Sequence, residues 1–340
     1  MHKPFFSIVI PTFNRKDDLE RAVHCILQQN YKDFEIIVTD NNSKDNIEAM
    51  LDDFRSNKIT YSKNRKNLGW ISNFKKGMKI AKGKYVMLHG DDDFLIYQDC
   101  LSVMHKLLKK RAYGFIRLNF LKFSYDKKRI FDYYKKIFRD LKINPKQKSE
   151  KIVDFLTKAE LNFITGVVYK NYKNAYKDVF YSELGPWFRI LHKCVYKYGG
   201  YLLSKHSFIT AWSRPSGSFY ILKNGKFKFE KYYEEISKVV NKEYYQDFLK
   251  TELKPIIMVM PAAKLHTSFK NFLSYSRRII YLSPGYKYSF IFWLYFFLAL
   301  LFPKFMLRII RAHKEGGHIS YKIPEYNKIL QNIQRITLKS

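Results

Sequence analysis

The sequence predicts an α/β protein whose N-terminal half folds as a doubly wound, mixed but mainly parallel sheet. Three observations support this fold class. Short apolar, β-rich runs alternate with segments of helical spacing up to Leu88, which is the pattern that βαβ units produce. Hydrophobic residues make up 46% of the 340 residues, and Gly and Pro are few, as in packed globular proteins. Polar residues gather where the predicted strands end.

The first βα unit opens with an apolar run at Phe5–Ile10, which predicts a buried strand that ends at Pro11. Asn14 is predicted to cap the helix that follows, because its side chain can accept a hydrogen bond from an unpaired amide. The apolar face of this helix consists of Leu19, Ala22, Val23, Ile26 and Leu27.

The same alternation continues through the next elements of the chain. In order, it predicts a strand at Phe34–Thr39, a helix at Ile47–Phe54, a strand at Ile59–Ser62, a helix after Gly69 through Ile80 and a strand at Lys84–Leu88. Such a series favours a largely parallel sheet, and ligands of these sheets bind beyond the carboxyl ends of the strands, where the strand order reverses.

A run of three aspartates, Asp91–Asp93, follows the last of these strands. Adjacent carboxylates raise each other's pKa unless a positive charge lies between them. Mg²⁺ or Mn²⁺ binds such oxygens, often together with substrate phosphates. The alternative is a solvated turn that caps the next helix. The chain has neither the glycine-rich dinucleotide fingerprint nor a P-loop.

Four motifs give the stretch Phe6–Leu121 a specific resemblance. In their order and spacing they resemble family 2 of the inverting glycosyltransferases, which have the GT-A fold and whose bacterial examples build surface polysaccharides. The motifs are Ser7–Arg15 (SIVIPTFNR), Phe34–Ser43 (FEIIVTDNNS), Asn67–Gly69 (NLG) and Lys82–Asp93 (KGKYVMLHGDDD).

The resemblance implies a donor site for a nucleoside-diphosphate sugar, with a UDP-sugar as the usual case. By it, the loop with Pro11, Thr12 and Asn14 contacts the nucleotide, and Asp40 hydrogen-bonds the base. Asp91 lies near the ribose. These residues all follow the first, second and fourth predicted strands, so the sheet itself is expected to bring them together.

The resemblance also implies a metal cofactor, Mn²⁺ or Mg²⁺, that bridges the donor diphosphate. Asp92 is then the metal ligand, and Asp93 supports the metal or touches the donor sugar. The chain has Gly90 where many family members carry the first aspartate of a D-x-D motif, so the identity of the principal ligand stays open. His89 precedes this run and is interpreted as a packed, hydrogen-bonded histidine rather than a ligand.

Three further polar residues match positions that border the donor pocket in the family. Asn67 and Asn73 are candidate donor-binding residues, and Arg65 is placed to approach a phosphate. Purely structural roles remain open for all three. Asn-Leu-Gly forms a turn by itself, Asn73 fits the surface of a helix, and Arg65 belongs to a basic cluster.

The catalytic base is expected from the second half of the chain, because inverting transfer needs a carboxylate that deprotonates the acceptor hydroxyl. By the resemblance, an acidic residue before a helix fills this role. Glu183 is the candidate and Asp178 the fallback. A carboxylate in this position also suits simple compensation of the helix dipole. Arg214 is a weaker candidate for a phosphate contact.

Three segments are expected. Residues 1–120 form the nucleotide-sugar half, residues 121–215 the acceptor half, and residues 216–340 a mostly helical, basic and aromatic region that associates with membranes. The last segment contains the apolar run Tyr288–Phe302, which is shorter than the roughly 20 residues that span a bilayer. Its aromatic residues and flanking cations favour an interfacial element, and a buried helix is the alternative.

The formal net charge of +32 predicts an anionic partner. We expect an anionic membrane surface and a glycan or lipid-linked acceptor, with no nucleic-acid partner. The three cysteines are widely spaced and fit neither a disulfide framework nor a zinc site, which indicates a reducing compartment. The expected location is therefore the cytoplasmic face of the cell membrane, as a peripheral protein.

The leading interpretation is a metal-dependent glycosyltransferase. A sugar-phosphate nucleotidyltransferase is a second possibility, although such enzymes carry a glycine-rich loop that Pro11–Arg15 lacks. The third is an inactive basic module that binds membranes or nucleic acid, which gives no reason for the placement of Asp40 and Asp91–Asp93.

Overall fold

The computed structural model describes residues 3–124, 129–133, 139–161, 163–182, 185–211, 230–258, 260–261, 268–301 and 331. Two compact units divide the chain. The first takes Met1–Tyr181, Pro186–Ser213 and Ile319–Ser340, and the second takes Ser182–Gly185 and Arg214–His318.

The first unit begins with the predicted alternation of strands and helices. Its elements are β1 (Phe6–Thr12), α1 (Lys16–Leu27), β2 (Phe34–Asp40), α2 (Ile47–Asp53), β3 (Ile59–Lys63), α3 (Trp70–Ile80) and β4 (Tyr85–Leu88). The apolar runs form these strands because β1, β2 and β4 are buried on both faces, as central parallel strands require.

The predicted cap of α1 is wrong. Arg15, not Asn14, is the residue before the first turn, and no side chain caps it. Asn14 adopts a left-handed conformation with φ of 53°, and its Oδ1 accepts a hydrogen bond from the amide of Lys44 at 2.9 Å. Asn tolerates this conformation better than most residues, so Asn14 ties the loop after β1 to the loop after β2.

The rest of the first unit adds strands to the same sheet and helices to its faces. These elements are β5 (Asp93–Leu95), α4 (Cys100–Lys110), β6 (Phe115–Ser124), β7 (Arg129–Tyr133), β8 (Leu141–Ile143), α5 (Ser149–Lys158), β9 (Val167–Lys170), a 3₁₀ turn (Ala175–Asp178), α6 (Phe188–Tyr198) and β10 (Gly200–Ala211).

The ten strands form one mixed sheet, which confirms the predicted α/β class. Its main path is β3-β2-β1-β4-β9-β6-β10-β5, with β7 beside β6 and β8 beside β10. The pairs among β1 to β4 are all parallel. Because β1 lies between β2 and β4, the strand order reverses there, and a crevice is expected beyond the carboxyl ends of β1 and β4.

Strand β9 runs antiparallel to β4 and pairs Val167 with Leu88. The residues just before β9 therefore lie beside the carboxyl end of β4. This pairing brings a loop from the second half of the chain to the predicted ligand edge.

Helix α3 packs very closely on the sheet at Gly77. A Cβ atom at this position would lie 2.4 Å from Cγ1 of Val9 in β1, so only glycine permits this approach. The close packing holds the later part of α3 against Val9 of β1 and Thr39 of β2.

The described part of the second unit is helical, as predicted for this region. It contains α7 (Glu230–Ser237), α8 (Lys242–Met258), α9 (Phe269–Leu282), a 3₁₀ turn (Pro284–Tyr288) and α10 (Phe290–Leu301).

Specific polar contacts connect these helices. Arg278 donates to both carboxylate oxygens of Glu230 at 2.8 and 2.7 Å, and the Tyr275 hydroxyl donates to the carbonyl of Ile256 at 2.8 Å. Among the helices that the structure describes, none combines the length and the apolar character needed to cross a membrane.

Candidate active site

The aspartate run lies at the carboxyl end of β4, and its three members have different surroundings. The side chain of Asp92 is 33% exposed and that of Asp91 only 12%, whereas Asp93 is buried as the first residue of β5. The alternative of a solvated helix cap is wrong, because two of the three aspartates are buried and the next helix begins only at Cys100. Asp92 is the most accessible carboxylate of the run.

Asp91 and Asp92 converge on one positive group, the guanidinium of Arg15. Its Nη1 lies 3.5 Å from Oδ1 of Asp91 and 2.5 Å from Oδ2 of Asp92. Burial raises the pKa of Asp91 to about 7, and the negative charge of Asp92 adds to this rise although Arg15 opposes it. The two carboxylates thus favour a positive charge at the position that Nη1 of Arg15 occupies.

This geometry fits a divalent cation of the kind that shares its coordination with a phosphate. Oxygens from two residues already surround one cationic atom, which is the arrangement that Mg²⁺ or Mn²⁺ needs from a protein. Among the described residues no group of three or more His, Cys, Asp or Glu side chains is placed to hold a metal alone.

Asp93 is held by Thr165, a residue that the sequence analysis missed. The Thr165 hydroxyl donates to Oδ2 of Asp93 and accepts from the amide of Gly90 at 2.7 Å. A Cβ atom on Gly90 would lie 2.7 Å from Oδ2 of Asp93 and 3.2 Å from Oδ1 of Asp92. A side chain at position 90 would therefore crowd the carboxylates of Asp92 and Asp93, and glycine leaves room for them.

The loop with Thr165 is fixed in turn by Arg117, a fully buried residue of β6. Its Nε donates to the carbonyl of Ala159 at 2.8 Å, and its Nη1 donates to the carbonyl of Thr165. No local motif marks Thr165 in the sequence. Only the pairing of β9 with β4 could have revealed it.

His89 is buried beside the aspartates, as the sequence analysis predicted. Its Nε2 lies 3.0 Å from the carbonyl oxygen of Asp93, and burial lowers its pKa to about 4. The ring is neutral at physiological pH and serves to position the start of β5.

Asp40 is completely buried at the end of β2. Its Oδ1 accepts from the amide of Ser43 at 2.8 Å, its Oδ2 accepts from the hydroxyl of Tyr61 at 2.7 Å, and Nζ of Lys63 lies 3.9 Å away. Burial, and then the hydrogen bond to Asp40, raises the pKa of Tyr61. The nucleobase of a donor can hydrogen-bond to this carboxylate only if one of these donors moves aside.

Thr12 and Pro11 lie in register with Asp40 and Thr39 at the end of the sheet. The carbonyl of Thr12 accepts from the amide of Asn41 at 2.9 Å. The structure therefore brings Pro11, Thr12 and Asp40 to the same edge as the aspartate run.

A network of asparagines connects the end of β2 with the first turn of α3. Buried Asn73 donates from Nδ2 to the carbonyl of Thr39 at 2.6 Å and accepts at Oδ1 from Asn64 at 2.9 Å. Exposed Asn67 accepts from Nδ2 of Asn41 at 2.7 Å. Asn73 thus anchors α3, whereas Asn67 and Arg65 lie at the surface.

The candidates for the catalytic base have separate outcomes. Glu183 lies outside the described residues, as does Arg214. Asp178 accepts from Nζ of Lys193 at 2.7 and 2.8 Å and from the hydroxyl of Tyr172 at 2.6 Å. Burial acts to raise its pKa, but these hydrogen bonds and the positive charges of Lys193 and Arg189 together outweigh it, and the pKa is lowered. None of these contacts involves the aspartate run.

Comparison with known proteins places the N-terminal part of the chain in a family. The profile of glycosyl transferase family 2 matches residues 7–152. The abequosyltransferase RfbV of Salmonella typhimurium is 38% identical over 111 residues, which cover 31% of this chain and 33% of that protein.

A second relative is the GalNAc(5)-diNAcBac-PP-undecaprenol beta-1,3-glucosyltransferase of Campylobacter jejuni. It is 34% identical over 115 residues, or 33% of this chain and 37% of that protein. The matches thus span about a third of the length of these curated relatives.

Solved structures extend the likeness in fold to most of the chain. Residues 1–349 of TarS from S. aureus align with a TM-score of 0.60 and 13% identity, covering 82% of this chain and 81% of that one. TarS in complex with UDP-GlcNAc aligns with a TM-score of 0.59 and 15% identity, covering 82% and 83%. This likeness confirms the predicted GT-A fold. The family rests on the profile match alone, which identifies residues 7–152 as a glycosyl transferase family 2 domain.

Proposed function

We propose that this protein transfers a sugar from a nucleoside-diphosphate donor to a glycan or lipid-linked acceptor, with inversion, in bacterial cell-surface polysaccharide synthesis. The observation that carries the proposal is the convergence of Asp91 and Asp92 on Nη1 of Arg15, beyond the carboxyl ends of the paired strands β1 and β4. A diphosphate with a bound divalent cation has the charges that this site accepts.

The donor is a UDP-sugar in this proposal. A structure with the same fold is a complex with UDP-GlcNAc, and another relative is named as a glucosyltransferase that uses UDP-Glc. Pro11 and Thr12 at the end of β1 and Asn14 in the loop after it contact the nucleotide, and Asp40 remains the candidate for the hydrogen bond to the nucleobase. Asn67 borders the pocket from the surface, while Asn73 supports it through Thr39.

Asp92 is the principal ligand of Mn²⁺ or Mg²⁺ in this proposal. It is the most exposed aspartate of the run, and its Oδ2 contacts Nη1 of Arg15. Asp91 completes the negative site near the ribose, and Asp93 holds the run in place through Thr165. When bound, the ion stabilises the negative charge of the departing diphosphate.

Glu183 is the proposed base for deprotonation of the acceptor hydroxyl, with Asp178 as the fallback. We expect Glu183→Gln to abolish turnover and to leave donor binding unchanged, because the amide cannot accept the proton. Asp178→Asn is the matched variant. Full turnover by Glu183→Gln together with its loss in Asp178→Asn would transfer the role to Asp178.

The second unit carries a surface that suits the membrane interface. In α10 the exposed apolar side chains lie at Phe290, Ile291, Trp293, Leu294, Phe297 and Leu301. Most of them recur three or four residues apart and form one stripe. Exposed Tyr288 and Lys287 precede this stripe, and aromatic rings with adjacent cations favour the lipid headgroup region. We propose that the protein is peripheral on the cytoplasmic face of the membrane.

Co-sedimentation with vesicles tests this location. The wild type is expected to sediment with vesicles that contain phosphatidylglycerol and to be released by high salt. A triple change of Phe290, Phe297 and Leu301 to serine should weaken this binding, whereas Tyr196→Ser, at an exposed aromatic of α6, should not. Wild-type protein that stays in the supernatant at low salt would contradict the proposed location.

A lipid-linked acceptor follows from this location and from two relatives. One relative is named for a PP-undecaprenol acceptor and another for a diphosphoundecaprenol acceptor. Since these matches cover about a third of this chain, the acceptor and the linkage are part of the proposal.

A screen of nucleotide-sugars tests the reaction class. Donor hydrolysis and thermal stabilisation are measured with and without Mn²⁺, because a ligand that binds the native state raises its apparent stability. We expect at least one nucleoside-diphosphate sugar to respond only with the metal. Release of pyrophosphate from a nucleoside triphosphate and a sugar phosphate would instead identify a nucleotidyltransferase. No response to any donor would favour a basic binding module.

A further inference from the structure

Arg15 occupies a special place between β1 and α1. Asn14, in its left-handed conformation, turns the chain so that the Arg15 side chain extends over the aspartate run. The side chain is 48% exposed, and both of its site contacts come from Nη1. The guanidinium is therefore held at its tip and has open space into which it can move.

The contacts of Arg15 compete with those of a divalent cation. Nη1 touches Oδ1 of Asp91 and Oδ2 of Asp92, and these are oxygens that a cation between the two residues would use. A guanidinium and a divalent cation repel each other strongly at such a distance. The two carboxylates consequently hold either the arginine or the metal.

We propose that Arg15 is an exchangeable counter-ion: the divalent cation displaces it from Asp91 and Asp92, and the freed guanidinium then binds the diphosphate of the donor. This inference rests on the proposed function, since it needs both a metal and a diphosphate at the site. The planar guanidinium fork matches phosphate oxygens and keeps its charge at any physiological pH.

The exchange makes metal and nucleotide binding cooperative. Without a nucleotide, the metal must break the contacts of Arg15 with Asp91 and Asp92, and only the weaker attraction of Asp18 remains for this cation. With a nucleotide, the diphosphate supplies a new partner. The affinity for the metal should therefore rise when the nucleotide is present, and by linkage the metal should raise the affinity for the nucleotide equally.

Arg15→Met separates the competition with the metal from the binding of the diphosphate. It removes the positive charge from a half-exposed side chain, where the fold should tolerate the change. Mn²⁺ binding is measured by electron paramagnetic resonance without nucleotide, and UDP binding by calorimetry at saturating Mn²⁺. We expect Mn²⁺ to bind about tenfold more tightly and UDP about tenfold more weakly than in the wild type, since a hydrogen bond between charged groups contributes about this factor.

Two further variants make the result specific. Arg21→Met removes a nearby arginine of α1 that pairs with Asp18 rather than with the aspartate run, so both affinities should change much less than in Arg15→Met. Arg15→Lys keeps the charge but loses the fork, so Mn²⁺ binding should stay near the wild-type value while UDP binding weakens.

Opposite changes in the affinities for Mn²⁺ and UDP distinguish the exchange of Arg15 from a purely structural role. Weaker binding of both Mn²⁺ and UDP in Arg15→Met would overturn the inference, and so would unchanged binding of both. If the wild type and Arg21→Met bind neither Mn²⁺ nor UDP, the proposed function itself fails, and the inference fails with it.

Discussion

Thr165→Val tests whether the second half of the chain supports the aspartate run. The hydroxyl of Thr165 donates to Asp93 and accepts from Gly90, and valine has nearly the same shape without either capacity. Loss of a hydrogen bond to a charged group costs about 1.5 to 3 kcal/mol, and loss of the bond to the half-buried amide of Gly90 adds about 0.5 to 1.5 kcal/mol. We expect the free energy of unfolding to fall by about 2 to 4 kcal/mol.

Urea denaturation followed by tryptophan fluorescence measures this loss. Thr165→Ser is the matched control, because it keeps the hydroxyl and removes one methyl group, which costs about 1 kcal/mol. A Thr165→Val protein within about 0.5 kcal/mol of the wild type would refute the reasoning. It would mean that the loop before β9 does not hold Asp93 in place.

Three further predictions concern other parts of the first unit. Gly77→Ala should reduce thermal stability, because a clash at 2.4 Å with Val9 costs about 1 to 3 kcal/mol and exceeds the gain in helix propensity of about 1 kcal/mol; a rise in Tm would contradict this packing. Asn73→Leu should lower the free energy of unfolding by about 2 kcal/mol or more in urea, since it leaves Thr39 and Asn64 without their partner, while exposed Asn67→Ala should cost less; equal losses would contradict the assigned anchoring role. The pKa of Asp178 is lowered in the folded protein, so the stability that Asp178→Asn removes should be full at neutral pH and should shrink below pH about 4; a difference that persists to pH 2 would contradict it.

The N-terminal half of the fold followed from the sequence because its signals are local. Buried parallel strands read as apolar runs, as at Phe34–Asp40, and the helices carry one apolar face. The chain therefore encodes each βα unit within about 30 residues. Asn14 was assigned wrongly because the same side chain can cap a helix or bridge two loops, and its contact with Lys44 decides between them.

The site was predictable only in part because its support comes from distant residues. The carboxyl ends of β1, β2 and β4 indicated Asp40 and the aspartate run directly. Thr165 and Arg117 act on this run through the pairing of β9 with β4 and β6, which joins residues at least 50 positions apart. Nothing in the local sequence around Thr165 marks such a contact.

Packing also decides which contacts the side chains of the motif residues can make. Asp40 was expected to face the nucleobase of the donor, yet its carboxylate is covered by Tyr61 and Ser43. Arg15 belongs to the first motif without an assigned role, and the structure places its charge between two carboxylates. A sequence gives residue types at strand ends, whereas the direction of each side chain depends on packing across the sheet.

The central claim is that the aspartate run binds a nucleoside diphosphate through a divalent cation held by Asp92. Calorimetric titration of UDP into the wild type and Asp92→Asn, each with Mn²⁺ and with a chelator, tests it most directly. We expect Mn²⁺ to raise the affinity of the wild type for UDP at least tenfold, as expected for a charge-assisted contact, and to have no such effect in Asp92→Asn. Equal UDP affinity with Mn²⁺ and with chelator in the wild type, or an undiminished effect of Mn²⁺ in Asp92→Asn, would contradict the claim.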